Sequence, residues 1–239
     1  MDFLDFIERS NGCCSKEDLV QCFDKAIARL GFDKFLYSIM RGSFANQGKT
    51  FHGLARSYSE EWMKHYIEKK YIDQDPTYRR ALCHKGVFSW QDLCKETATT
   101  KTEKLVMSEA EEAGLKNGIS VAIHGPFGEA IGFGFASNNS HEQLTPNQKS
   151  LLFALANQFH LAYQGLEQST PQTKIKLTDR QREVLQWAAV GKSRPVISEI
   201  MQISEDTVDD HFRQIFKKLE CNDRTVAVLK AIQLGLIRV

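Results

Sequence analysis

The chain has 239 residues, 42% of them hydrophobic, with 31 Lys and Arg against 30 Asp and Glu and a net charge of +1. That composition supports one or two packed domains and excludes a disordered chain. No apolar run approaches the roughly 20 residues that span a bilayer, and the acidic start MDFLDFIERS lacks the basic and apolar regions of a secretion signal. A cytoplasmic protein with no membrane partner is therefore expected. The six cysteines (Cys13, Cys14, Cys22, Cys83, Cys94, Cys221) form no CxxC pair and no zinc spacing, so reduced thiols and no metal are expected.

Phe3, Phe6 and Ile7 make one face of a short first helix. Ser15 caps the next, whose stripe is Leu19, Cys22, Phe23, Ala26, Ile27 and Leu30, and Gly31 ends it. Phe35 to Met40 reads as a strand, with Phe51 to Ala55 as a second across a Gly- and Asn-containing turn. Alternation puts Leu36, Ser38 and Met40 on one strand face. Ser59 caps a helix carrying Trp62, Tyr66 and Ile67, and Asp75-Pro76 opens another. Val87 to Trp90 is a short extended piece. Thr100 to Ala113 is an amphipathic helix stopped by Gly114. Ile119 to His124 and Ala130 to Ala136 are strands around a Gly-Pro-Phe-Gly turn. Glycines in the GFGFAS strand weaken it and mark close approach of a ligand or another backbone. Thr145 caps a long helix with Pro146 first. Gln164 to Lys176 lacks an apolar period and reads as a linker. The expected layout is a first domain over 1–165, a linker over 166–175 and a second domain over 176–239. Interleaved helices and hairpin-like strands give an α+β chain, its first domain an α-β-α sandwich on an antiparallel sheet.

From Pro171 onward 12 Lys and Arg face 9 Asp and Glu, whereas the preceding residues are net acidic. Here Thr178 caps a helix with Val184, Leu185, Ala188 and Ala189 inside, and Gly191 stops it. Ser193 can cap a short second helix with Pro195 in its first turn. A tight turn, Gln202-Ile203-Ser204, leads to a third helix with the stripe Val208, Phe212, Ile215, Phe216 and Leu219. A fourth runs from about Thr225 to Leu234. This is a four-helix helix-turn-helix unit. The outward face of the third helix carries Asp206, Asp209, Asp210, Arg213, Gln214 and Lys217. Arg213, Gln214, Lys217 and Lys218 suit base edges and phosphates; the aspartates do not. A helical bundle with a solvated charged face fits the same pattern.

Residues 58 to 90 concentrate Tyr58, Trp62, Tyr66, Tyr71, Asp75 and Trp90. Aromatics with polar tips line small-molecule pockets. The same spacing also fits plain core aromatics, with Asp75 a helix cap. There is no GxSxG, HExxH or phosphate loop, and an enzyme is not expected.

The run LTDRQREVLQWAAVGKS, with Thr207-Val208, His211 and FKKLECNDRTVAVLKAIQLGLI, resembles the DNA-binding domain of the LuxR family of transcription regulators; Glu183, Leu185, Trp187, Gly191, Val208 and Lys218 fall at family positions. The runs SYSEEWMKHYIEKKYIDQDPT, FSW and EEAGLKNGISVAIHG resemble that family's autoinducer-binding domain, a GAF/PAS-like fold. The resemblance implies an N-acyl-homoserine lactone as ligand and no cofactor. Trp62 would donate to the lactone carbonyl, Asp75 would accept the amide N–H, and Tyr58 would donate to the first acyl carbonyl. Tyr66 would pack on the acyl chain and Trp90 near the lactone ring, with Thr77, Leu36, Ser38 and Met40 facing the ligand. Relatives often carry a hydroxyl on the strand matching 130–136. This one has none before Ser137, and Ser120 or Ser38 would substitute. On the DNA side the implied set is Lys192, Thr207, Asp210, Arg213, Gln214, Lys217 and Lys218, with Asp209 and Asp210 departing from the neutral or basic residues of many relatives. The implied partners are double-stranded DNA at a two-fold operator, a second copy in a homodimer, and RNA polymerase. Two other readings stand beside this one: an orphan regulator answering a foreign or non-lactone ligand, and a partner that inhibits another regulator through heterodimers without binding DNA.

Overall fold

A computed structural model describes residues 1–42, 51–96, 100–125, 128–137, 143–168 and 175–238. The turn after the first strand, Pro126 and Phe127 of the second hairpin, and residues 169–174 of the linker segment lie outside them. The chain forms two compact units.

The first unit is built on five strands: β1 (Lys34–Arg41), β2 (Phe51–Arg56), β3 (Gly86–Ser89), β4 (Lys116–His124) and β5 (Ala130–Ser137). Their order is β2-β1-β5-β4-β3 and every pair is antiparallel. The pleat of β5 sorts its side chains by face. Ile131, Phe133 and Phe135 enter an aromatic core with α1 (Phe3–Gly12), α2 (Lys16–Ile27) and α7 (Pro146–Gln168). At its centre Phe23 lies 4.5 Å from Phe159 and 4.9 Å, edge-on, from Phe35. The opposite face is covered by α3 (Glu60–Glu68), α4 (Pro76–Cys83), α5 (Trp90–Glu96) and α6 (Lys101–Glu112). Helix starts follow local chemistry. The hydroxyls of Ser15, Ser59 and Thr100 accept the N–H groups of Asp18, Trp62 and Glu103, and Thr145 does the same for Gln148.

Three details differ from the sequence reading. Trp90 opens the short helix α5 rather than ending a strand; seven residues carry too weak a periodic signal, and packing stabilises them. Helix α7 continues to Gln168, into the segment read as linker. The last helix begins at Arg224, capped by Asp223, one residue before the expected Thr225.

His160 on α7 is buried, with Nδ1 2.8 Å from the Tyr37 hydroxyl. Burial lowers its imidazole from 6.5 to about 4, so it is neutral in the fold. As pH falls below 6.5 the unfolded chain takes up a proton that the folded chain refuses until about 4. Stability is therefore lost through that window, by about 3 kcal/mol at its acid end. His160→Gln is expected to flatten the acid limb of the melting-temperature profile between pH 7 and 4. Parallel wild-type and variant profiles would refute this.

The second unit holds α8 (Asp179–Ala189), α9 (Arg194–Met201), α10 (Glu205–Leu219) and α11 (Arg224–Gln233) around Val184, Leu185, Ile197, Val208, Ile215 and Ala227. Thr178 and Gln181 form a reciprocal cap on α8. The α8 to α9 turn needs Gly191 at φ +80°, and the helix-turn-helix bend is made by Gln202 at φ 53°. Ser204 caps α10 through Thr207 N–H at 3.1 Å. Ser193 stands at the N-cap of α9, but its side chain makes no capping bond.

Candidate functional site

Between the sheet and helices α3 to α6 lies a cavity of about 70 Å³. Leu36, Ser38, Met40, Tyr58, Trp62, Tyr66, Asp75, Thr77, Trp90 and Ser120 all line it, from β1, β4, α3, α4, α5 and the loops before α3 and α4. Strand register gives the cavity a long axis. Leu36 and Ser120 both stand opposite Gly134, and Ser38 and Ala122 both stand opposite Gly132. Tyr58 and Trp90 sit over the Gly134 level; Met40 lies over the Gly132 level.

The polar groups are few and arranged in two sets. Asp75 Oδ1 accepts from Thr77 N–H (2.7 Å), Thr77 Oγ1 (2.7 Å) and Tyr78 N–H (3.3 Å), so this carboxylate does cap α4. Its Oδ2 accepts the Tyr66 hydroxyl at 2.9 Å and keeps a second lone pair. Trp90 donates its indole N–H to Ser120 Oγ at 2.9 Å, leaving the serine proton to donate elsewhere. Ser38 Oγ accepts Gly53 N–H at 3.0 Å and lies 3.2 Å from His52 Nδ1. The His52 ring stacks on Tyr66 at 5.0 Å. Tyr58 differs from all of these: its hydroxyl is buried and has no hydrogen-bond partner among the described residues. Burial, then the nearby Asp75 charge, push its ionisation far up, so it is a neutral donor.

Sequence reasoning missed much of the roof. Helix α6 supplies Val106, Met107 and Ala110. Two of its carboxylates tie it down: Glu103 to Arg79 of α4 at 2.5 Å, and Glu109 to His65 Nε2 (2.6 Å) and the Tyr71 hydroxyl (2.7 Å). Glu103 is 3% exposed, which an amphipathic helix pattern does not reveal. Among the described residues no group of His, Cys, Asp or Glu could hold a metal ion.

In the second unit Asp206, Asp210, Arg213, Gln214 and Lys217 are exposed along α10. Two of its carboxylates are paired: Asp209 with Arg194 of α9 at 2.6 Å and Asp210 with Arg213 at 2.5 Å. Lys218 is drawn back, with Nζ donating to Lys176 O (2.9 Å) and Gln181 Oε1 (2.8 Å), while Gln214 Oε1 accepts from Gln181. Thr207 is engaged with Ser204 in the cap. Lys192 is exposed in the α8 to α9 turn, its carbonyl accepting from Arg224.

Two family models match the chain: the autoinducer binding domain over residues 15–163, and the luxR family of bacterial regulatory proteins over 176–231. The chain belongs to the LuxR family of autoinducer-binding transcriptional regulators. Among curated relatives, the transcriptional activator SolR of Ralstonia solanacearum is 32% identical over 98% of this chain and 99% of its own. The quorum sensing-dependent transcriptional regulator RpaR of Rhodopseudomonas palustris is 29% identical over 100% and 94%. The crystal structure of Escherichia coli SdiA shares the fold, with a TM-score of 0.77 and 21% identity over the full length of both chains. The two curated relatives are transcriptional regulators rather than enzymes. This LuxR-family chain thus pairs a small-molecule pocket with a DNA-binding helix-turn-helix. No described helix is long and apolar enough to cross a membrane.

Two glycines of this LuxR-family chain set the positions of pocket aromatics. A Cβ on Gly118 would lie 1.9 Å from the Trp90 ring, and one on Gly134 would lie 2.8 Å from the Tyr58 hydroxyl. Real Cβ atoms do not approach so closely, so both aromatics owe their positions to glycine.

Proposed function

We propose that this protein is a cytoplasmic receptor for an N-acyl-homoserine lactone that, once filled, binds two-fold operator DNA as a homodimer. The observation that carries the reading is the unpartnered, buried Tyr58 hydroxyl facing an apolar cavity that also holds the open lone pair of Asp75. A secondary amide presents N–H and C=O on opposite edges, and a donor beside an acceptor is its complement. Asp75 accepts the amide N–H, Tyr58 donates to the acyl carbonyl, and the Ser120 proton is a second donor in place of a β5 hydroxyl. Trp62 serves the lactone carbonyl, and Leu36, Met107 and Val106 cover the chain. Ligand adds RT ln(1 + [L]/Kd) to the stability of the first unit.

The test is a thermal melt against acyl-homoserine lactones of graded chain length. A shift that peaks at one length, with Tyr58→Phe weakening affinity about tenfold, supports the reading. A flat panel from folded protein overturns it.

On the DNA side Arg213 and Lys217 face the major groove, with Lys192 at the backbone. Asp210 holds Arg213 as an internal counter-charge. Arg213→Ala is expected to weaken operator binding, Lys192→Ala to reduce the slope of log affinity against log salt by about 1, and Asp210→Asn to tighten non-specific binding. Salt titrations of the two α10 variants indistinguishable from wild type would remove this helix from the interface. Pairing of Asp209 and Asp210 with arginines favours direct DNA binding over a purely inhibitory partner, because neither carboxylate meets phosphate uncompensated.

A further inference from the structure

At the Gly132 level, away from Trp90, the cavity is lined by the flexible side chain of Met40 together with Tyr78 and Ala81. Met40 lies across Gly132 so closely that a Cβ there would meet its Sδ at 2.4 Å and its Cγ at 3.1 Å. Around it stand Ala81, Ala122 and Ala130, all buried, forming a small cluster with Met40. The Met40 backbone is held, its carbonyl accepting the Tyr78 hydroxyl at 3.1 Å, and Ala81 O is held by His124 Nε2 at 2.8 Å. A hollow walled by one glycine and three alanines, with Tyr78, Leu82 and Phe88 packed against them, is therefore filled by an unbranched thioether.

We propose that Met40 is a displaceable plug that sets the length of acyl chain the receptor accepts. The proposal rests on the acyl-ligand reading above and names the specificity determinant of that site. With Met40 seated over Gly132 the chain must end at the Ser38 level. A longer chain enters only by turning Met40 out of the hollow. Methionine suits this role, since its three side-chain torsions re-pack at little cost, whereas a branched residue would be fixed. The part of Met40 beyond Cβ has three heavy atoms, so its removal makes room for about three methylenes. At roughly fourfold per buried methylene, affinity for the correspondingly longer chain should rise on the order of fiftyfold.

The experiment measures dissociation constants of the full chain for two probe series, butanoyl to tetradecanoyl homoserine lactones and the matching monoacylglycerols. Met40→Ala is expected to move the optimum about three methylenes longer. Ala81→Leu in that background refills the hollow and is expected to restore the shorter optimum. Should Met40→Ala fail to fold, Met40→Leu keeps the volume but cannot swing aside, and is expected to lose the longest chains while keeping the short ones. An optimum unchanged in Met40→Ala, or long chains unaffected in Met40→Leu, overturns the plug. Lactones that bind with an unchanged optimum leave the lactone reading standing and remove the plug. A shifted optimum with acylglycerols, and no binding of lactones, does the reverse. Flat profiles in both series overturn both.

Discussion

Gly118→Ala is expected to lower the melting temperature of the ligand-free first unit by about 5–10 °C and to erase the ligand-induced shift. The new methyl would sit 1.9 Å from Cε3 of Trp90, inside the indole itself. Trp90 cannot yield easily. Its N–H is fixed on Ser120 at 2.9 Å, it is only 8% exposed, and its far edge already approaches Gly134. Either β4 shifts, dragging its register with β3 and β5, or the indole leaves the cavity wall and strands Ser120. Overpacking of this kind costs about 1–3 kcal/mol or more, and here it falls on the floor of the pocket. A scanning-calorimetry trace within a degree of wild type would show that the ring is not held where the structure places it.

Asp75 separates into two roles that different substitutions pull apart. Asp75→Ala deletes the cap of α4 and leaves the buried Tyr66 hydroxyl without an acceptor, which together cost about 2–4 kcal/mol. That loss appears in denaturant unfolding with no ligand present. Asp75→Asn keeps an acceptor oxygen for the cap and turns its NH2 to the Tyr66 hydroxyl, which then accepts instead of donating, and so should fold close to normally. It removes the anionic acceptor offered to a ligand amide, and about ten- to a hundredfold in ligand affinity with it. Wild-type stability in Asp75→Ala would refute the structural role, and full ligand response in Asp75→Asn the binding role. The cap and the pocket reading of Asp75, which its spacing left open, are both geometrically available because the two carboxylate oxygens face different neighbours.

What was legible in the sequence was local. Caps at Ser15, Ser59, Asp75, Thr145 and Thr178 depend on residues three apart, and the glycine at 191 on one backbone angle. The pocket face of β1 follows from the pleat, which sends Leu36, Ser38 and Met40 one way. What escaped was non-local. Helix α5 exists because Trp90 and Leu93 are buried, not because seven residues favour a helix. Glu103 and Glu109 read as the solvated face of α6, and only the approach of Arg79, His65 and Tyr71 makes them roof ties. Lys218 and Gln214 stood on a face suited to DNA, yet Gln181 on another helix engages both. Charge pattern along one helix cannot report a partner more than 30 positions away in the chain.

Strand β5 spends its two faces differently. One side carries Ile131, Phe133 and Phe135 into the aromatic core; the other shows Gly132 and Gly134 to the cavity. The large share of buried apolar surface, and hence of folding stability, belongs to the first face, while the second contributes mainly empty space. Side chains around that space can be exchanged one at a time without touching the Phe23, Phe133 and Phe159 stack. A lineage that keeps Gly118 and the Asp75 cap can therefore wander through ligand preferences while most of its folding reserve stays intact, and receptors whose pockets differ only in apolar lining should unfold at similar denaturant midpoints.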